Sequence, residues 1–135
     1  MAKRVLVVDD HGPTRTLIRT LLESEKAMEF AVVEAATGTD CLKAHANQGP
    51  FDLILLDVNL PDMDGYDLCR RLRSVDDVVP IVFVTAKGDL KDYSAGLAAG
   101  GDSYLVKSNL KSNRAALRAI MNLFSSVQRS RRDGS

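Results

Sequence analysis

Leu53-Ile54-Leu55-Leu56-Asp57 is the stretch whose reading decides the fold. Its apolar residues run without alternation, which marks a strand covered on both faces, because a strand with one wet face shows a polar residue at every second position. The run stops at a carboxylate. Asn59-Leu60-Pro61-Asp62-Met63-Asp64-Gly65 then follows, a loop by its Pro, Gly and Asp content. Towards the N-terminus, Phe30 to Val33 and Arg4 to Val8 read as two more strands, and the earlier one stops at Asp9-Asp10. Towards the C-terminus, Pro80 introduces Ile81 to Val84, closed by Thr85, and Ser103 to Val106 ends at Lys107.

Between these strands the apolar spacing becomes helical. Leu17, Ile18, Leu21 and Leu22 share one face, and Pro13 suits the first turn of their helix. Cys41, Leu42 and Ala44 lie in a second helix that stops near Asn47-Gln48-Gly49-Pro50, and Tyr66 to Leu72 form a third. Leu90 to Ala99 form a fourth, closed by Gly100-Gly101. From Asn109, a plausible N-cap, Leu110, Leu117, Ile120, Met121, Phe124 and Val127 make the single stripe of a fifth helix. Five strands alternating with five helices predict an α/β domain, one parallel sheet with helices on both faces. Right-handed crossovers leave few windings. The order 2-1-3-4-5 is taken from known doubly wound sheets rather than derived from the residues.

The chain has 135 residues, 45% hydrophobic and 27% charged, which suits one soluble globular domain with a sizeable core. No apolar run approaches the length of a membrane span, and no secretory leader is expected. Cys41 and Cys69 sit in helical stretches and read as reduced thiols of a cytoplasmic protein, small fillers of the core rather than a disulfide. Lysine plus arginine and aspartate plus glutamate both total 18, so bulk charge argues for neither nucleic acid nor anionic membrane as partner. Three arginines and one aspartate lie after Gln128, leaving 15 basic residues against 17 acidic ones in the body. Residues 1–128 are therefore read as the domain and 129–135 as a flexible basic tail.

In doubly wound sheets, ligands bind beyond the carboxyl ends of the strands, where the winding reverses. The sequence brings Asp9, Asp10, Asp57, Thr85 and Lys107 to those ends. Each alone has an ordinary explanation as a helix cap, a turn residue or a solvated end; all five at successive strand ends make a site. Crowded carboxylates cannot all stay ionised without compensation. A hard divalent cation with oxygen ligands supplies it, Mg²⁺ in particular, and Lys107 adds a second positive charge. Positive potential concentrated on one point is what a phosphoryl group in transfer requires.

Asp9-Asp10, Asp57 with Leu60-Pro61-Asp62-Met63-Asp64-Gly65, Thr85-Ala86 and Tyr104-Leu105-Val106-Lys107 closely resemble the receiver domains of bacterial two-component response regulators, over about residues 3–127. The resemblance implies the flavodoxin-like receiver fold and a set of roles. Asp57 would accept phosphate from a histidine kinase or phosphotransfer protein, forming an acyl phosphate. Asp10 would bind Mg²⁺ directly, Asp9 largely through water, and Asp57 and the backbone carbonyl of Asn59 would complete the protein's ligands. Lys107 would pair with the aspartate and then with the phosphoryl oxygens. Thr85 would move to hydrogen-bond the phosphoryl group, letting Tyr104 turn inward and remodel the face of the fourth helix, fifth strand and fifth helix, where a target protein docks and a phosphorylation-dependent dimer can form. Asn59 and Lys87 would tune dephosphorylation. The chain would be a stoichiometric acceptor rather than an enzyme, with its output passing through protein contacts because no effector domain fits beside the receiver.

Ser108 departs from the proline usual after the lysine. A cis bond before serine costs about 2.5–4 kcal/mol, so Lys107-Ser108 is expected to be trans, with a shifted loop. Gly101 replaces a residue that is often alanine and is expected only to loosen its turn. His11 reads as a turn residue and His45 as helix surface. Tyr93 either joins Tyr104 on an interaction face or covers core.

Three rival readings share the architecture. A haloacid-dehalogenase-type phosphatase needs a carboxylate two residues after its nucleophile, where this chain has Asn59. A flavin carrier must cradle a phosphate in its first loop, where Asp9 and Asp10 would repel it. A pseudo-receiver, which binds proteins without the chemistry, remains the alternative.

Overall fold

The computed structural model describes residues 2–26, 28–86, 90–107 and 122 of the chain. Its elements are β1 (Lys3–Val8), α1 (Gly12–Glu23), β2 (Phe30–Ala35), α2 (Gly38–Gln48), β3 (Leu53–Asp57), α3 (Gly65–Val75), β4 (Ile81–Thr85), α4 (Leu90–Ala98) and β5 (Ser103–Val106). Every pairing is parallel and the sheet order is β2-β1-β3-β4-β5, as expected. Four of the five expected helices fall among the described residues. The fifth, the tail and the Lys107-Ser108 bond lie outside them, apart from Asn122, which is helical. Among the described residues no helix is long and apolar enough to cross a membrane.

The period of two along each strand sorts the core into two layers. Val5, Val7, Leu53, Leu55, Val82, Val84 and Leu105 pack with Ile18, Leu21 and Leu22 of α1 on one face. Leu6, Val8, Ile54, Leu56, Ile81 and Phe83 pack on the other with Cys41 and Ala44 of α2, Leu68, Cys69 and Leu72 of α3, and Ala99 after α4. Both cysteines are buried and neither forms a disulfide, and burial pushes the Cys41 thiol up to about 12, which suits an inert core filler.

Two elements run past their sequence limits for identifiable reasons. Glu34 breaks the apolar pattern of β2, yet the strand continues to Ala35 in register with Val8. Its carboxylate reaches outward to Arg15 at 3.0 Å and Arg19 at 2.7 Å. Arg19 also donates to the Val32 carbonyl at 3.1 Å, on the outer edge of the sheet. Helix α3 continues to Val75 because Arg73, polar in sequence, folds back onto the protein. Its guanidinium donates to the carbonyls of Gly100 and Val79 and pairs with Asp102 at 2.9 Å, tying α3 to the loops that flank β4.

His45 is not simply helix surface. Its Nε2 lies 2.9 Å from Asp76 Oδ2, joining α2 to the C-cap of α3. Burial opposes the Asp76 charge, but the His45 ring and the N–H groups of Val79 and Val78 outweigh it and hold the carboxyl below its usual range. Gly101 does more than loosen a turn. It is buried, and a Cβ there would overlap the Phe83 ring.

Gly101→Ala should therefore destabilise the fold by about 1–3 kcal/mol, the usual cost of overpacking, read as a lower midpoint in thermal melts. A carboxyl whose folded pKa is depressed contributes stability above its unfolded pKa and loses it as pH falls through the folded one. Asp76→Asn should thus lower the melting midpoint near neutral pH, with the deficit closing below pH 3.8.

Candidate functional site

Strand register assembles the site. Val8 pairs with Leu56, so Asp9 and Asp57 leave the ends of β1 and β3 side by side; Asp57 pairs with Val84, and Thr85 with Val106, which places Thr85 and Lys107 next along the row. Asp9, Asp57 and Thr85 are buried at these ends, Lys107 is half-buried and Asp10 is exposed. Carboxylate oxygens of Asp9, Asp10 and Asp57 lie within 4.8 Å of one another. Lys107 Nζ stands 2.8 Å from Asp9 Oδ2 and 3.4 Å from Asp57 Oδ2.

Backbone groups and neighbouring loops hold these side chains in place. Asp9 Oδ1 accepts from the His11 N–H at 2.9 Å, and Arg15 Nη1 donates to the Asp9 carbonyl at 2.7 Å. His11 caps α1, its Nδ1 accepting from the Thr14 N–H at 3.3 Å, so its reading as a turn residue holds. Asp57 Oδ1 accepts from the Asn59 N–H at 3.3 Å. The loop beyond it is closed by a bridge between Asn59 and Asp64 and by a bond from the Gly65 N–H to the Val58 carbonyl at 2.7 Å. Lys87 lies outside the described residues.

Tyr104 sits one layer away from the carboxylates. It pairs with Phe83 across β4 and β5, and its ring stacks 5.2 Å from Phe83 and 5.1 Å from Tyr93. Tyr93 is partly exposed and its ring lies against Tyr104.

A family model described as the response regulator receiver domain matches residues 5–121. The chain belongs to that family. It is 43% identical over 107 residues to the DNA-binding response regulator MtrA of Mycolicibacterium paratuberculosis, which covers 79% of this chain and 45% of that protein. It is 38% identical over 122 residues to the response regulator MprA of a Mycobacterium species, 90% of this chain and 51% of the relative. This receiver thus spans about half the length of the curated relatives it matches. A solved CheY-like receiver domain protein from Methanospirillum hungatei superposes with a TM-score of 0.80 at 28% identity, over 96% of this chain and 99% of the other.

The acidic pocket of this receiver has the donor set of a metal site. Its three carboxylates gather beside the Lys107 ammonium, which lies 2.8 Å from the buried Asp9 Oδ2. All-oxygen ligands with one exposed side suit a hard divalent cation. Electrostatics agree with the crowding. Burial and then the Asp9 charge push the Asp57 carboxyl up, against the opposing pull of Lys107 and the Asn59 N–H. Burial works against the Lys107 charge, but hydrogen bonding to Asp9 and attraction by both carboxylates outweigh it and raise its pKa.

Two supporting residues were not anticipated from sequence. Asp62 looked like one more loop acid, yet it accepts from the N–H groups of Gly38 at 2.8 Å and Thr39 at 2.9 Å and from the Thr39 hydroxyl at 2.8 Å. Those donors hold its carboxyl at about 2 and dock the β3–α3 loop on the start of α2. The other is Tyr66, in the first turn of α3, whose hydroxyl oxygen accepts from the Tyr104 hydroxyl at 2.9 Å. A run of polar loop residues gives no sign of a distant helix terminus, and a tyrosine at helical spacing reads simply as core.

A group whose folded pKa is raised works against folding when ionised and costs nothing once protonated. In metal-free buffer, Asp57→Asn should therefore raise the melting midpoint near pH 7, and the gain should vanish as pH falls below 3.8.

Proposed function

We propose that this receiver accepts a phosphoryl group on Asp57 from the phosphohistidine of a histidine kinase or phosphotransfer protein, and that the modification switches a protein-binding face. The observation that carries the reading is the meeting of Asp9, Asp10 and Asp57 within 4.8 Å, with Lys107 Nζ on both buried carboxylates.

In this reading an Asp57 carboxylate oxygen attacks phosphorus and an acyl–phosphate bond forms. The P–N bond breaks, and its electron pair stays on the departing imidazole. Asp9, Asp10, Asp57 and the Asn59 carbonyl would hold Mg²⁺, which supplies charge neutralisation for the phosphoryl oxygens when bound. Lys107 leaves its carboxylate partners to pair with a phosphoryl oxygen, and the Thr85 hydroxyl donates to another. Thr85 is buried beside β5, so its movement is felt where Tyr104 packs. Asn59, next but one to the acceptor, and Lys87, by its place in the sequence after Thr85, would tune the lifetime of the modification. The chain is its own acceptor and does not turn over substrate. Its target and a phosphorylated dimer would use the face of α4, β5 and the helix expected after Asn109, in the cytoplasm.

Mg²⁺ with acetyl phosphate should add one phosphoryl mass to the intact protein, and Asp57→Asn or a chelator should abolish it. Folded protein that takes no label would overturn this reading in favour of a phosphorylation-independent binding module.

A further inference from the structure

All three tyrosines of the chain join one ring cluster with Phe83, and the chain has no tryptophan. Tyr66 meets the Phe83 ring edge-on at 5.1 Å, Tyr104 stacks beside it, and Tyr93 stacks on Tyr104. The Tyr104 hydroxyl finds two specific features where it lies. One is Gly96 of α4, which is buried and where a Cβ would overlap the phenol. The other is the Tyr66 hydroxyl, which accepts its proton at 2.9 Å. A half-buried hydroxyl needs an acceptor in place of the water it has left. Gly96 supplies the space for the inward ring, and Tyr66 supplies the acceptor.

Tyr66 is also tied to the site. It directly follows Gly65, whose N–H bonds the Val58 carbonyl next to Asp57, and its own N–H donates at 2.7 Å to Asp64, which bridges Asn59. The loop that carries the Asn59 carbonyl therefore ends on the residue that holds Tyr104. This connection runs through the start of α3 and is separate from the one through Thr85 on β4.

We infer that Tyr66 is a positioning residue for Tyr104: its hydroxyl holds the inward ring against Gly96 and joins the β3–α3 loop to the switched face. The inference rests on the switch role proposed for Tyr104. Coupling of this kind requires a two-state element that both regions bias, and the Tyr104 ring is that element.

The test uses the full chain labelled with 3-fluorotyrosine, whose three ¹⁹F resonances all report on this cluster and are assigned by single Tyr→Phe variants. Relaxation dispersion reads the ratio of inward to outward Tyr104 rings. Tyr66→Phe keeps the ring and removes the hydroxyl acceptor, so the ratio should fall about fivefold, the worth of one neutral hydrogen bond, with the melting midpoint nearly unchanged. Gly96→Ala should drive the ring outward by bulk alone. An unchanged ratio in Tyr66→Phe overturns the inference, whether or not Gly96→Ala folds. Adding Mg²⁺ and beryllium fluoride, a phosphoryl mimic, tests the underlying reading separately. If the wild-type Tyr104 signal does not respond, the switch role fails, while the resting ratio still decides what Tyr66 does.

Discussion

Like charges brought together by backbone geometry are the constraint around which this molecule is organised. Parallel strands in fixed register have no freedom to stagger their ends, so Asp9 and Asp57 are delivered to the same place by pairings made entirely of apolar residues. The N–H groups of His11 and Asn59 relieve part of the repulsion that results. Lys107 arrives from the far side of β4 to do more, and among the described residues its one ammonium half-compensates two buried carboxylates. The deficit that remains is what makes the pocket receptive to a cation. An apolar core that sets the register thus creates an electrostatic problem at the rim, and the chemistry is built from that problem.

The parts of the fold that were legible in sequence are those set by short-range pattern. The unbroken run Leu53 to Leu56 identified a doubly covered strand, and it is buried throughout. Gly100-Gly101 closed a helix where one closes, with Gly100 in the left-handed conformation at φ 105°. Boundaries went astray where a charged side chain serves a distant partner. Glu34 ended the apolar pattern of β2 without ending the strand, and the helix read from Tyr66 to Leu72 continues through Arg73 to Val75. Each is charged, and each is satisfied by residues that lie far away in the chain.

The site divides along the same line. Asp9, Asp10, Asp57, Thr85 and Lys107 could be listed because strand ends are visible in sequence and parallel topology gathers them. Their supports could not. Asp62 and Tyr66 find partners 24 and 38 residues away, and no periodicity encodes such meetings. Gly101 shows the same limit for packing, since only the position of the Phe83 ring reveals why a side chain is unwelcome there.

The outer strand β2 offers a final lesson. An open sheet leaves a row of backbone groups on its last strand that can template a foreign strand. Arg19 lays its guanidinium on the Val32 carbonyl while gripping Glu34 and Glu23, so part of that margin is already taken by the protein's own side chain. A helix on one face thereby shields the border of the sheet, and the protein gains resistance to edge-to-edge aggregation from a residue with no share in its chemistry.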